Sequence, residues 1–185
     1  MKLHWIVLCV CLFPLGNMMA QSAHQDLRKG DNLYKKGEYN QAEIEYRMAE
    51  EKVPSTKSKF NLGNTVYKQN RYDEAIKNYH DAANTASTDR EKANAYYNLG
   101  NAYYQNKKYD ESIKAFKKSL EYQPEDIATK ENLAMARREL QKIQQQQQQK
   151  QNQDQNQDKE KKEDQQQNQQ NQQQQNEKQD NSEKQ

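Results

Sequence analysis

An all-α array of helix–turn–helix repeats is the fold this sequence predicts, and three observations predict it. "NLGNTVYKQNRYDEAI", starting at Asn61, returns as "NLGNAYYQNKKYDESI" at Asn98, 37 residues further on. A weaker third copy, "RKGDNLYKKGEYNQAEIEY", aligns Gly30 with Gly63 and Gly100 and lies 33 residues before the second. These spacings bracket the period of about 34 residues at which paired helices repeat.

Taken in order, the first segment is not part of the array. Residues 1–20 read as an export signal: Lys2 gives a positive start, "WIVLCVCLFPL" is the apolar stretch, and "GNMMA" ends on the small residue Ala20. The stretch is shorter than the ~20 apolar residues that span a bilayer. Leu8 and Val10 precede Cys9 and Cys11 where a lipidation site would have small residues, so lipidation is rejected. Cleavage after Ala20 removes both cysteines, and a disulfide-free chain must fold by packing alone.

Residues 21–140 are expected to hold the repeats, at about 23–55, 56–92 and 93–126, with a capping helix at 127–143. Each repeat reads as two helices broken near "KKGEYNQ", "KQNRYDE" and "QNKKYDE". A glycine inside a helix costs roughly 1 kcal/mol against alanine. Gly30, Gly63 and Gly100 therefore imply close approach of a second helix, with the small residues Ala42, Ala75 and Ser112 placed to meet it. Ala49, Ala82 and Ser119 recur in the same register. Asp73, Glu74, Asp110 and Glu111 suit the positive end of a helix dipole. Pro54 and Pro124 close the first and third repeats, and "STDREK" lengthens the second connection. Residues 144–185, mostly Gln and Asn with scattered charge, cannot bury enough apolar surface to order themselves and read as a disordered low-complexity tail. "QKIQQQQQQK" is the part that could prolong the preceding helix.

The unit from Ala93, "ANAYYNLGNAYYQNKKYDESIKAFKKSLEYQPED", resembles a tetratricopeptide repeat nearly position by position. Leu99, Gly100, Tyr103, Ser112, Phe116, Ser119 and Pro124 fall on the family's signature places. The unit from Thr56 is close to it, and the first is degenerate, with Lys29 where leucine is usual. "IATKENLAMARRELQKI" resembles the first helix of a fourth unit and would cap the array. The resemblance implies a right-handed superhelix whose first helices line a concave groove. On those helices residues at i, i+4 and i+7 share a face. The face reads Leu27, Asp31, Tyr34, then Phe60, Asn64, Tyr67, then Tyr97, Asn101, Tyr104. Aromatic rings beside a column of amides suit an extended peptide or a helix. The asparagines are expected to form an exposed ladder that adds little to packing.

Some family members grip a C-terminal carboxylate with lysine, arginine and asparagine. The matching positions here are Leu27, Asp31, Asn61, Asn94 and Asn98, and only Asn61 fits. Catalysis is not expected. After the leader only His24 and His80 remain, with no His-x-x-x-His pair, phosphate-binding glycine loop or Gly-x-Ser-x-Gly. No cofactor, metal or small-molecule substrate is implied, and a net charge of +2 argues against nucleic acid. The expectation is a non-catalytic protein-binding adaptor, exported to the periplasm or cell envelope. A leader, a short array and a Gln/Asn-rich tail in one small chain also resemble the aerotolerance-operon (Bat) proteins of bacteria. That resemblance implies membrane-anchored von Willebrand factor A-domain partners. The alternative is a structural envelope protein that assembles into homo-oligomers through array and tail.

Overall fold

Three identical turns divide the helices of the array. In each, the chain passes through a left-handed residue: Gly37 (φ 79°), Asn70 (φ 61°) and Lys107 (φ 59°). The amide of each bonds three residues back (Gly37 to Tyr34, Asn70 to Tyr67, Lys107 to Tyr104), and the next amide bonds five residues back, as from Arg71 to Val66. That pair of bonds closes a helix end with its last carbonyls satisfied. The computed structural model describes residues 3–153, with side chains from Met18 onward.

Seven α-helices and no strand occur among the described residues. They are α1 (Leu3–Lys35), α2 (Tyr39–Lys52), α3 (Thr56–Lys68), α4 (Tyr72–Thr85), α5 (Asp89–Gln105), α6 (Tyr109–Tyr122) and α7 (127–153). Ser55 and Thr88 start α3 and α5 with capping boxes closed by Ser58 and Glu91. The predicted leader falls largely on α1, whose first side chains lie outside the described ones. No described helix is long and apolar enough to cross a membrane.

Contacts divide the chain into two units, Met1–Glu139 and Leu140–Gln185. In the first, each helix from α1 to α6 packs on its neighbour in sequence, and α3 also meets α5. This is an all-α tetratricopeptide-type repeat array. The glycines sit where helices touch. A Cβ on Gly30, Gly63 or Gly100 would lie 2.6, 2.7 or 2.6 Å from a ring carbon of Tyr46, Tyr79 or Phe116. Ala42, Ala75 and Ser112 are fully buried one turn before those rings. The Ser112 hydroxyl also donates to the Gly100 carbonyl at 2.8 Å, and the Ser119 hydroxyl donates to that of Ala93 at 2.9 Å.

Each repeat plugs a leucine into the one before it. Leu62 packs with Leu27, Ala42, Tyr46 and Ala49; Leu99 with Val66, Ala75 and Tyr79; Leu133 of α7 with Phe116. Burying such a side chain stabilises by about 1.5–3 kcal/mol. The first repeat has no predecessor among the described residues, and its matching position is Lys29, 62% exposed and facing Asp26 and Glu45. What reads in sequence as degeneracy is an edge made wettable.

In the second unit, residues 140–153 are helical and all but Leu140 are exposed. Helix therefore runs ten residues past the boundary at 143, through the "QKIQQQQQQK" stretch that could prolong it and over three further residues, 151–153, for which disorder was expected. Glutamine is a good helix former, and nothing in "QQQQQQKQNQ" breaks a helix. The remainder of the predicted tail, 154–185, lies outside the described residues.

Candidate functional site

The residue after each repeated helix glycine (Gly30, Gly63 and Gly100) carries an oxygen that bonds across repeats. Asp31 accepts from the Tyr46 hydroxyl at 2.8 Å and from the Asn61 amide at 2.9 Å. One repeat on, Asn64 accepts from the Tyr79 hydroxyl at 2.8 Å and from the Asn98 amide at 3.2 Å. At the third joint Asn101 accepts from Asn132 of α7 at 2.9 Å, while Phe116 stands where a third tyrosine would donate. Burial pushes the Tyr46 hydroxyl far above the usual phenol range, helped by its bond to Asp31. Burial does the same to Tyr79, so both remain protonated donors.

This ladder corrects the expectation that the amides contribute little to packing. Asn64 and Asn101 stitch first helices together through their oxygens. Asn61, Asn98 and Asn132 are the partners that the candidate set omitted. The signal for them was present: 61 and 98 align in the duplicated phrase, and Asn132 lies 34 residues further along the same register.

Tyrosines flank the ladder. Tyr34, Tyr67 and Tyr104 each meet the first tyrosine of their own second helix edge to face, at 5.4, 5.4 and 5.3 Å from Tyr39, Tyr72 and Tyr109. Each stays half-exposed. Two cavities open beside them. One, of about 150 Å³, is lined by Asp31, Tyr34, Lys35, Tyr46, Asn61 and Asn64. The other, of about 200 Å³, takes in Tyr34, Asn64, Tyr67, Lys68, Asn98 and Asn101. Tyr34 and Asn64 belong to both, so the cavities adjoin along the first helices.

Five of the eight predicted residues thus converge: Asp31, Tyr34, Asn64, Tyr67 and Asn101. The other three sit apart. Phe60 packs edge-on to Tyr79 at 5.9 Å and lines a separate cavity with Thr56, Lys57, Glu91 and Asn94. Tyr97 and Tyr104 pack around Phe116 and Leu133 beneath α7, and Tyr97 also meets Asn132. Leu27, on the same predicted face, is buried in the core of the first repeat, because the face rotates inward at its N-terminal end.

Charge adds a second set of joints. Glu43 of α2 accepts from Arg47, Gln69 and Arg71, and Glu74 of α4 pairs with both arginines. Burial alone would raise the Glu43 carboxyl, but those bonds outweigh it and hold the group below its ordinary 4.5. Glu50 is likewise held low, its burial outweighed by Lys59, Ser58 and Ser55. Asp73, expected only as a helix-start charge, also bonds Lys108 and Asn106 of the next repeat at 2.9 and 2.8 Å. Among the described residues no cluster of His, Cys, Asp and Glu is arranged to hold a metal ion.

Residues 54–125 match the family model described as Tetratricopeptide repeat. No curated protein sequence matches the chain significantly. Solved structures similar to it are tetratricopeptide domains. The C-terminal domain of a putative FK506-binding protein from Plasmodium falciparum superposes with a TM-score of 0.63 at 18% identity, covering 70% of this chain and 95% of that one. The first such domain of Spaghetti (RPAP3), bound to the HSP90 peptide SRMEEVD, gives 0.61 at 21% identity, covering 65% and 94%. The TPR2AB domain of yeast Sti1, in complex with pHSP90, gives 0.59 at 25% identity, covering 67% of this chain and 49% of that one.

Proposed function

We propose that this chain, which carries tetratricopeptide repeats over residues 54–125, is a non-catalytic adaptor that holds an extended segment of another protein along its first helices. One observation carries this reading: two adjoining cavities span successive repeats and are walled by half-exposed tyrosines and amides. Such walls offer ring faces to apolar side chains and hydrogen bonds to a peptide backbone. Asp31, the carboxylate that lines the first of them, is engaged in joining helices, which suits a scaffold. The proteins of similar fold seen with HSP90 peptides support peptide binding as the mode. The register of any ligand would differ here, because Leu27 is buried and Asp31 is an acid held by Tyr46, Asn61 and Lys57.

The setting belongs to the same proposal. A leader at 1–20 would export the chain to the periplasm or cell envelope, and the combination of leader, array and Gln/Asn-rich tail supports a place in a Bat-type stress complex with von Willebrand factor A-domain proteins. Affinity capture from the native cell tests both levels. Asn101→Trp fills the groove with a bulky ring and no added charge, and its only severed ladder bond is the half-buried one to Asn132. It should lose partners that the wild-type chain retains, at unchanged helicity. Equal capture by both would end the groove reading. Absence of A-domain proteins among partners that depend on Asn101 would end the finer one.

A further inference from the structure

We propose that the cavity between the second and third repeats receives a side-chain carboxylate, from an aspartate or glutamate inside an extended acidic partner segment. The inference rests on the groove reading above and adds to it the chemistry of the occupant. Hydrogen-bond polarity carries it. The Asn64 oxygen is occupied by the Tyr79 hydroxyl and the Asn98 amide, and the Asn101 oxygen by Asn132. Both lone pairs of the Asn64 oxygen are then taken and one of Asn101's, so Asn64 has only its amino group left to offer, while Asn101 offers its amino group and one remaining lone pair.

Charge points the same way. No carboxylate lines this cavity. Lys68, exposed at its wall, has no ion-pair or hydrogen-bond partner among the described residues. Four other lysines of the array are paired, Lys52 with Asp26, Lys57 with Asp31, Lys59 with Glu50 and Lys108 with Asp73, whereas Lys68, among the described residues, is free at the wall of a cavity. A cation with two amide donors around about 200 Å³ needs an anionic acceptor of small size, and a carboxylate meets all three demands. A lysine or arginine of the ligand would meet the like charge of Lys68. The neighbouring cavity differs, since Asp31 stands beside Lys35 there and cancels the preference.

The test is an array of random twelve-residue peptides probed with the full chain, as wild type, Lys68→Glu, Lys68→Arg and, as a control on an exposed face of α4, Lys77→Glu. Each captured peptide is then measured by fluorescence anisotropy with its C-terminus free and amidated, and with its acids replaced by Asn or Gln. Captured sequences should be enriched in Asp and Glu. Affinity should fall about tenfold for Lys68→Glu and for the neutral peptides, the loss of one charge-assisted bond, with Lys68→Arg retaining it and Lys77→Glu unchanged. Capture without acidic enrichment, or acidic capture that ignores Lys68→Glu, overturns the carboxylate site and leaves the groove reading standing. Binding that vanishes on amidation replaces a side-chain acid by a chain terminus and overturns the proposal as stated. Capture of nothing by the wild-type chain brings down the groove reading too.

Discussion

The first and third repeats hold the same backbone geometry with different chemistry. Where the third buries Leu99, 4% exposed, the first has solvated Lys29. Where the third packs Phe116 on Gly100, the first packs Tyr46 on Gly30 and sends its hydroxyl to Asp31. Where the third turns through Lys107, the first turns through Gly37. The difference teaches that a repeat signature is a statement about neighbours. A position keeps its apolar residue only when another repeat covers it, and the first repeat, with nothing before it among the described residues, can spend that position on charge.

Exchanging residues between the two repeats tests this. Leu99→Lys should be the most damaging change, about 3–5 kcal/mol by urea unfolding, because it places an uncompensated charge between repeats. Lys29→Leu should cost under about 1 kcal/mol, since exposed ion pairs contribute little; equal costs would erase the distinction between edge and interior. Gly100→Ala should cost about 1–3 kcal/mol, because its Cβ would lie 2.6 Å from the Phe116 ring. If its denaturation midpoint matches wild type, close helix approach does not explain the glycine.

The hydroxyl exchange comes next. Tyr46→Phe should lose about 1–2 kcal/mol by removing a donor to Asp31. Phe116→Tyr should be nearly neutral, because Asn101 stands 15 residues before it just as Asp31 and Asn64 stand before Tyr46 and Tyr79. A Phe116→Tyr variant as damaged as Gly100→Ala would refute the ladder as a transferable motif. Acid should weaken the joint between the first two repeats. Glu43 and Glu50 have folded pKa values below the ordinary 4.5, so their contribution is present above that pH and is lost as pH falls through the lowered values. A thermal midpoint indifferent to pH between 5 and 3 (roughly one proton-binding step for such carboxylates) would argue against it. Smallest, Lys107→Gly should stabilise by about 1 kcal/mol by relieving a left-handed lysine, whereas Gly37→Ala should do the reverse.

The paired helices, their turns and their glycine contacts were legible because each is a local demand repeated three times. Repetition turns a weak preference at one position into a pattern. Half of the candidate site was legible for the same reason: 31, 34, 64, 67 and 101 follow helical spacing within the repeat register. The sequence alone settled that residues 33 and 37 apart occupy equivalent places, and that small residues must mark the helix contacts. Only the tertiary structure decided which way each amide faces. An asparagine can donate, accept or do both, and no periodicity says whether its oxygen meets solvent or a tyrosine one helix away. Leu27 and Tyr97 went astray on the same ground: spacing assigns a residue to a helix face, but the crossing of neighbouring helices determines how much of that face remains open.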